Sequence, residues 1–215
     1  MTAPHGLPEV LARVEHRERL PTDPWLELVP PPSPQRAAVV SFPGHVVVAA
    51  DVDRCWVDSR LGTDDDLSAP LSPGFLGALE ERLVLTAGNI DAVLLAPPTP
   101  GKPAIPLSPI ADSDHPRVAR ARQYRQDVRA WTYGPALLVL GRGLAGRWEA
   151  AVEVAEGARN GGLGRSLAAA ARQLVPDGRP VWAQVAPGNA ASLRAFLAAG
   201  YQPVGAEALF MPPPR

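Results

Sequence analysis

Residues 159–174 read RNGGLGRSLAAAARQL, and this stretch restricts the fold more than any other. Gly161, Gly162 and Gly164 weaken any helix they sit in, while the alanines and leucines behind them favour one. A flexible turn feeding a strong helix leaves the first amides of that helix without intrahelical partners. Those amides, and the helix dipole behind them, favour negative charge in front of the turn. Glycine lets a phosphate come close, because no side chain intervenes. The stretch therefore predicts a strand-to-helix turn suited to a phosphate or diphosphate, with Arg159 placed to help neutralise it. A glycine-rich turn with no ligand is the plain alternative.

Two familiar phosphate loops do not fit. A P-loop needs G-x-x-x-x-G-K-S/T, whereas Arg159 stands at its first glycine and Arg165 at its lysine. A dinucleotide fingerprint needs G-x-G-x-x-G. Gly162-Leu163-Gly164 begins one, but Leu167 occupies the third glycine.

The surroundings read as alternating strands and helices. Residues 6–18 predict an amphipathic helix through Leu7, Val10, Leu11 and Val14. AAVVSF (37–42) and HVVVAA (45–50) predict paired strands across Pro43-Gly44. Asp51 is expected to cap a helix over 52–61, and 62–71, with Asp64-Asp65-Asp66, to be a loop. Ser72-Pro73 starts a helix that buries Phe75, Leu76, Leu79 and Leu83. DAVLLA (91–96) reads as a short buried strand, and Asp114 as the cap of a helix over 116–126. Strands over 128–133, 136–141 and 147–154 follow as an antiparallel meander. After the glycine turn and its helix come a strand over 181–186, a helix over 189–200 and a strand pair across 201–210. Helices crossing between strands imply a mixed sheet covered on its faces. The proline clusters VPPPSP (29–34) and APPTPGKPAIPLSP (96–109) read as stiff connectors.

Two stretches bear on the ligand together. Arg159-Asn160-Gly161-Gly162-Leu163-Gly164 fits R/Q-x-x-G-x-G/A. Asn189 to Tyr201 fits N-x-x-A/S-x-x-x-Y/F-x-x-x-G-F/Y. In that order, with room for one helix and one strand between them, the pair resembles the coenzyme A signatures of the GNAT N-acetyltransferase superfamily. The resemblance covers Asp114 to Phe210. It implies an α/β (α+β) fold with a mixed, mostly antiparallel central sheet and helices on both faces. It also implies a splayed parallel strand pair, here 147–154 and 181–186, that binds acyl-CoA. The division it suggests is an acyl-CoA-binding core over 112–215 and an N-terminal elaboration over 1–111 supplying an early strand and helices.

By the same resemblance, acetyl-CoA is the acyl donor and the acceptor is a primary amine, on a small molecule or a peptide. The diphosphate would lie on Arg159, Asn160, Gly161, Gly162, Leu163 and Gly164, with Arg165 adding charge. The pantetheine would pair with the strand of Val152 and Val154, one of whose backbone N–H groups would stabilise the thioester oxyanion. Asn189 and Ser192 would touch the cofactor. Asn189 also reads as an N-cap, and Ser192 could instead bond back to its helix.

An amine must lose a proton before it attacks, and a carboxylate can take it, directly or through water. Glu149 and Glu153 are the candidates, on one face of their strand by alternation. Glu149 is slightly favoured because it lies deeper from the glycine turn; both could instead be an ordinary polar face. The family's tyrosine position, seven residues after the asparagine, holds Phe196. Tyr124 and Tyr133 are the possible substitutes for its acid role.

The remaining composition narrows the class. With 215 residues, 46% of them hydrophobic, and a net charge of −1, the chain can bury a real core and has no overall pull toward nucleic acid or anionic membrane. The lone cysteine, Cys55, excludes an internal disulfide framework, and with no visible signal peptide the expected location is the cytoplasm. His5, His16, His45 and His115 lack ligand spacing, so no metal is expected. Lys102 is the one lysine among 21 basic residues; GC-rich coding is the favoured explanation and phosphate recognition the alternative. Arg117, Arg120, Arg122, Arg125 and Arg129 form a basic stripe that reads as a solvated, carboxylate-paired face; RNA contact is the competing reading. A homodimer is compatible with all of this. The alternative function is a catalytically weak acyl-CoA-binding module.

Overall fold

Between residues 37 and 49 nearly every side chain is apolar, so this stretch has no face that can be turned to water. It forms two strands buried on both sides. The computed structural model describes residues 6–62, 66–111 and 114–213, and in it the chain divides into two compact units. The first runs to Ala92 and takes in the stretch from Val204 onward; the second is Val93–Pro203.

The first unit contains helix α1 (Leu7–Glu15), strands β1 (Leu26–Val29), β2 (Ala37–Phe42) and β3 (His45–Ala49), and helices α2 (Arg54–Leu61) and α3 (Pro73–Leu83). The strand order is β1-β3-β2-β10, where β10 is Gln202–Met211. β1 runs parallel to β3; β2 is antiparallel to both β3 and β10. Val39, Val46, Val48 and Phe210 meet Val57 of α2 and Phe75, Leu76 and Leu79 of α3 in one core. Ser72 starts α3 as expected, its hydroxyl accepting the Phe75 N–H at 3.3 Å. α2 starts later than expected. Asp53, not Asp51, accepts the Trp56 N–H, at 2.8 Å. Asp64 and Asp65 lie outside the described residues, as does His5.

The second unit contains β5 (Ser108–Ile110), α4 (Pro116–Tyr124), β6 (Gln126–Tyr133), β7 (Ala136–Arg142), β8 (Trp148–Val154), α5 (Leu163–Leu174), β9 (Val181–Val185) and α6 (Ala190–Ala198). Strand β4 (Thr86–Ala96) straddles the division, with Val93–Ala96 in the second unit. The order here is β9-β8-β7-β6-β5, antiparallel throughout except for the parallel pair β8 and β9. One face is covered by α5 and α6, whose Leu167, Ala168, Ala171 and Phe196 pack on Leu138, Leu140, Trp148 and Ala150. The other is covered by α4, with Val118 and Ala121 against Ala130, Leu137 and Val139. The expected mixed, mostly antiparallel sheet with helices on both faces is present in this unit.

Some boundaries differ from the sequence reading. α4 begins after His115, whose ring Nδ1 accepts the Arg117 N–H at 3.2 Å, so Asp114 is not its cap. β4 has 11 residues rather than the short strand read from DAVLLA. The stretch 201–210 is one strand, not a pair. Within it Gly205 sits against the Ser41 carbonyl, where a side chain would collide. β1 and β5 lie in or beside the proline clusters, where connectors were expected.

Candidate functional site

Four segments of the second unit converge on a cavity of about 440 Å³: the end of β8, the glycine turn leading into α5, one side of α6, and Arg117 of α4. Of the residues singled out from sequence, Val152, Glu153, Val154, Arg159, Asn160, Gly162, Leu163, Gly164, Arg165, Asn189 and Ser192 line it. Glu149 and Gly161 do not.

The glycine turn enters α5 through a left-handed residue. Gly162 has φ +81 and ψ −6, and a Cβ built there would meet nothing within 4 Å. Backbone conformation, rather than crowding, requires glycine at this point. The first intrahelical bond runs from the Ser166 N–H to the Gly162 carbonyl, at 3.1 Å. The amides of Leu163, Gly164 and Arg165 precede it and have no intrahelical acceptor. All three residues line the cavity. At its other edge Asn189 caps α6, its Oδ1 accepting the Ser192 N–H at 3.1 Å.

The strand pair carries the most informative geometry. β8 and β9 are joined by one ladder pair, Glu149 with Trp182, and the ladder does not continue to Ala151 opposite Gln184. The Ala155 N–H donates to the Pro135 carbonyl at 2.9 Å, in register with the β7–β8 ladder. Backbone direction alternates along a strand. Ala151 and Glu153 therefore turn their backbone groups to β7, and Val152 and Val154 turn theirs toward the unpaired side. The Val154 carbonyl receives Arg159 Nε there at 3.3 Å. A length of unpaired β8 edge thus leads from the glycine turn into the gap.

The two carboxylates have different surroundings. Glu149 is 3% exposed. Its Oε1 accepts from Arg147 Nε (2.9 Å), the Leu144 N–H (3.1 Å) and Gln184 Nε2 (3.1 Å), and its Oε2 pairs with Arg125 Nε at 2.9 Å. Burial pushes this carboxyl up, but Arg125 and Arg147 outweigh burial and hold it below the ordinary range. Glu149 therefore joins β8, β9, the 143–147 loop and Arg125, the residue after α4, just where the ladder ends. Glu153 is half-buried, paired with Arg117 of α4, with His115 Nε2 at 3.9 Å. The hydrogen bond from Arg117 pulls its carboxyl down, burial opposes this, and the charges of Arg117, His115 and Arg159 add to the lowering.

No tyrosine lines the cavity among the described residues. Phe196 is buried edge-to-face against Tyr201, centroids 4.8 Å apart, and the Tyr201 hydroxyl donates to the Ala168 carbonyl at 3.2 Å. The arginine stripe is largely satisfied internally. Arg117 and Arg125 pair with Glu153 and Glu149, Arg122 donates to the Ala111 carbonyl, and Arg120 and Arg129 lie over Tyr124 and Trp148. Sequence reasoning did not find Arg194 in the cavity wall. It stands five residues from Asn189 and two from Ser192, not at the three- or four-residue spacing that shares a helix face, so no local pattern signalled it. Among the described residues no group of three or more His, Cys, Asp or Glu could hold a metal ion, and no helix is long and apolar enough to cross a membrane.

No protein-family model and no curated protein matches the chain. Among solved structures, a GCN5-related N-acetyltransferase from Kribbella flavida is similar, with 20% identity and a TM-score of 0.44. The match covers 66% of this chain and 65% of that one, so the chain spans less than two-thirds of that protein's length.

Proposed function

We propose that this cavity is the donor site of an acyl-CoA-dependent N-acyltransferase, which moves an acetyl group from acetyl-CoA to a primary amine. The observation that carries the reading is the one-pair ladder between β8 and β9, which leaves a β8 edge unpaired beside an anion-suited helix start. A pantetheine arm, rich in amides, would add to that edge as an extra strand while the diphosphate rests on the amides of 163–165. The Val152 N–H then faces the thioester carbonyl and stabilises the oxyanion that forms during attack.

Handling of the amine falls to Glu153 rather than Glu149. Glu149 is held by two arginines and lies outside the cavity; Glu153 lines it. A lysine-like ammonium has a pKa of about 10.4, so direct transfer to a carboxylate lies roughly six units uphill. In this reading the free-amine fraction attacks, Glu153 orients it by accepting one of its N–H groups, and the proton that the nitrogen sheds as the C–N bond forms leaves through water to bulk base. Arg117, which lowers the Glu153 carboxyl, keeps it an ionised acceptor. With no tyrosine at hand, the thiolate leaves unprotonated, which a thiol of pKa about 8.5 tolerates. Turnover should rise with pH toward the pKa of the amine, not level off in the carboxylate range.

Calorimetric titration with acetyl-CoA and CoA release with a panel of amines test the reading. Gly162→Val should cost about 1 kcal/mol of stability, from the left-handed backbone, yet lower acetyl-CoA affinity at least tenfold. Absence of acetyl-CoA binding to the unaltered chain would defeat the proposal. A second reading, a binding module with little turnover, is favoured by one feature: Phe196 has no acidic proton to give a leaving thiolate, and the Tyr201 hydroxyl beside it is buried on the Ala168 carbonyl. Background CoA release with every amine, unchanged in Glu153→Gln, would select it.

A further inference from the structure

Four arginines line the cavity, Arg117, Arg159, Arg165 and Arg194, against one carboxylate, Glu153. Arg117 is paired with Glu153, and Arg159 lies over the Val154 carbonyl beside the glycine turn. Arg165 and Arg194 have no hydrogen bond or ion pair with any described residue. Both are exposed. Both line the same cavity, from helices that touch. Helices α5 and α6 come close at Gly164 and Ala195, where a Cβ built on Gly164 would lie 3.3 Å from the Ala195 Cβ. Arg165 follows the first of these residues and Arg194 precedes the second. Two unpaired guanidinium groups therefore flank one helix contact on the wall of one cavity.

A diphosphate joining two groups carries one negative charge on each phosphate. The amides of 163–165 and Arg159 already answer it. Arg165 and Arg194 are in excess of that need. Both stand on the helices behind the turn, not on β8 where the thioester and the amine must meet. A phosphomonoester carries about −1.5 to −2 charges at neutral pH and accepts bidentate guanidinium bonds.

We infer that Arg165 and Arg194 form a second anion subsite that reads the 3′-phosphate of coenzyme A, so that the cavity selects CoA over dephospho-CoA. This rests on the acyl-CoA reading above. The test is calorimetric titration of the full chain with CoA and with dephospho-CoA, repeated for Arg194→Ala and for Arg165→Ala with Arg194→Ala. The unaltered chain should prefer CoA by about five- to tenfold, the range expected of exposed charge-assisted bonds. In the double variant the CoA affinity should fall to that of dephospho-CoA. Equal affinities in the unaltered chain would overturn the subsite and leave the acyl-CoA reading standing. So would a preference that survives in the double variant. If neither compound binds the unaltered chain, the acyl-CoA reading itself fails, and the subsite with it.

Discussion

Glu149 and Glu153 lie four residues apart on one strand face, yet their environments give them opposite work. Glu149 is a buried anion between two guanidinium groups, and removing its charge takes the carboxylate from beside Arg147, which is 1% exposed, and Arg125. Breaking a buried pair costs about 3–5 kcal/mol, so Glu149→Gln should lower the urea midpoint by that equivalent. Its folded pKa lies below the ordinary 4.5. An acid shifted that way contributes stability in full above its unfolded pKa and loses it as pH falls through the folded value. Acid denaturation curves should show the gap between Glu149→Gln and the unaltered chain closing at low pH. The sequence placed both glutamates on one face correctly. It could not separate them, because the partners of Glu149 come from 125, 144, 147 and 184, and no local pattern announces such a convergence.

At the scale of elements, the parts legible in the sequence were those with strong local chemistry. The Ser72-Pro73 start, the Pro43-Gly44 hairpin, the meander of β6 to β8 and the helix after the glycine turn all follow from capping, turn residues or periodicity. One misreading has a clear cause. Proline was taken to mark a connector at β5, where pairing with β6 overrides it. The gap between β8 and β9 was foreseen through family resemblance and not through residue pattern, since an unpaired edge has no composition of its own. One strand pair offers a separate test. Asp91 of β4 is pushed up to about 6, first by burial and second by the charge of Glu207 of β10. An acid raised above its ordinary 3.8 destabilises the fold increasingly as pH rises from about 4 through about 6. Asp91 is only half-buried, so solvent screening reduces the effect to about 1 kcal/mol. Asp91→Asn should match the unaltered chain in urea melts near pH 4 and exceed it by that amount near pH 8.

Over the whole molecule, compactness and motif divide the chain differently. The motifs suggested a core from residue 112; contacts give a unit of Val93–Pro203 and return the stretch from Val204 to the other unit. Every residue proposed for the donor site lies in the second unit. The first depends on β10, whose Phe210 is fully buried beside Ala37, Val39 and Phe75. Phe210→Ala should cost about 3–5 kcal/mol, read as loss of amide-exchange protection in β2 and β3 with protection in β7 retained. This pairing also sets a timetable for the nascent chain. Translation delivers β2 and β3 early but supplies the antiparallel neighbour of β2, Ala206 to Phe210, only after all of 93–203 has been made. At about 5–20 residues per second, a valine-rich half-sheet must wait roughly 8 to 30 seconds with one edge bare. The segment made first is thus the last to close.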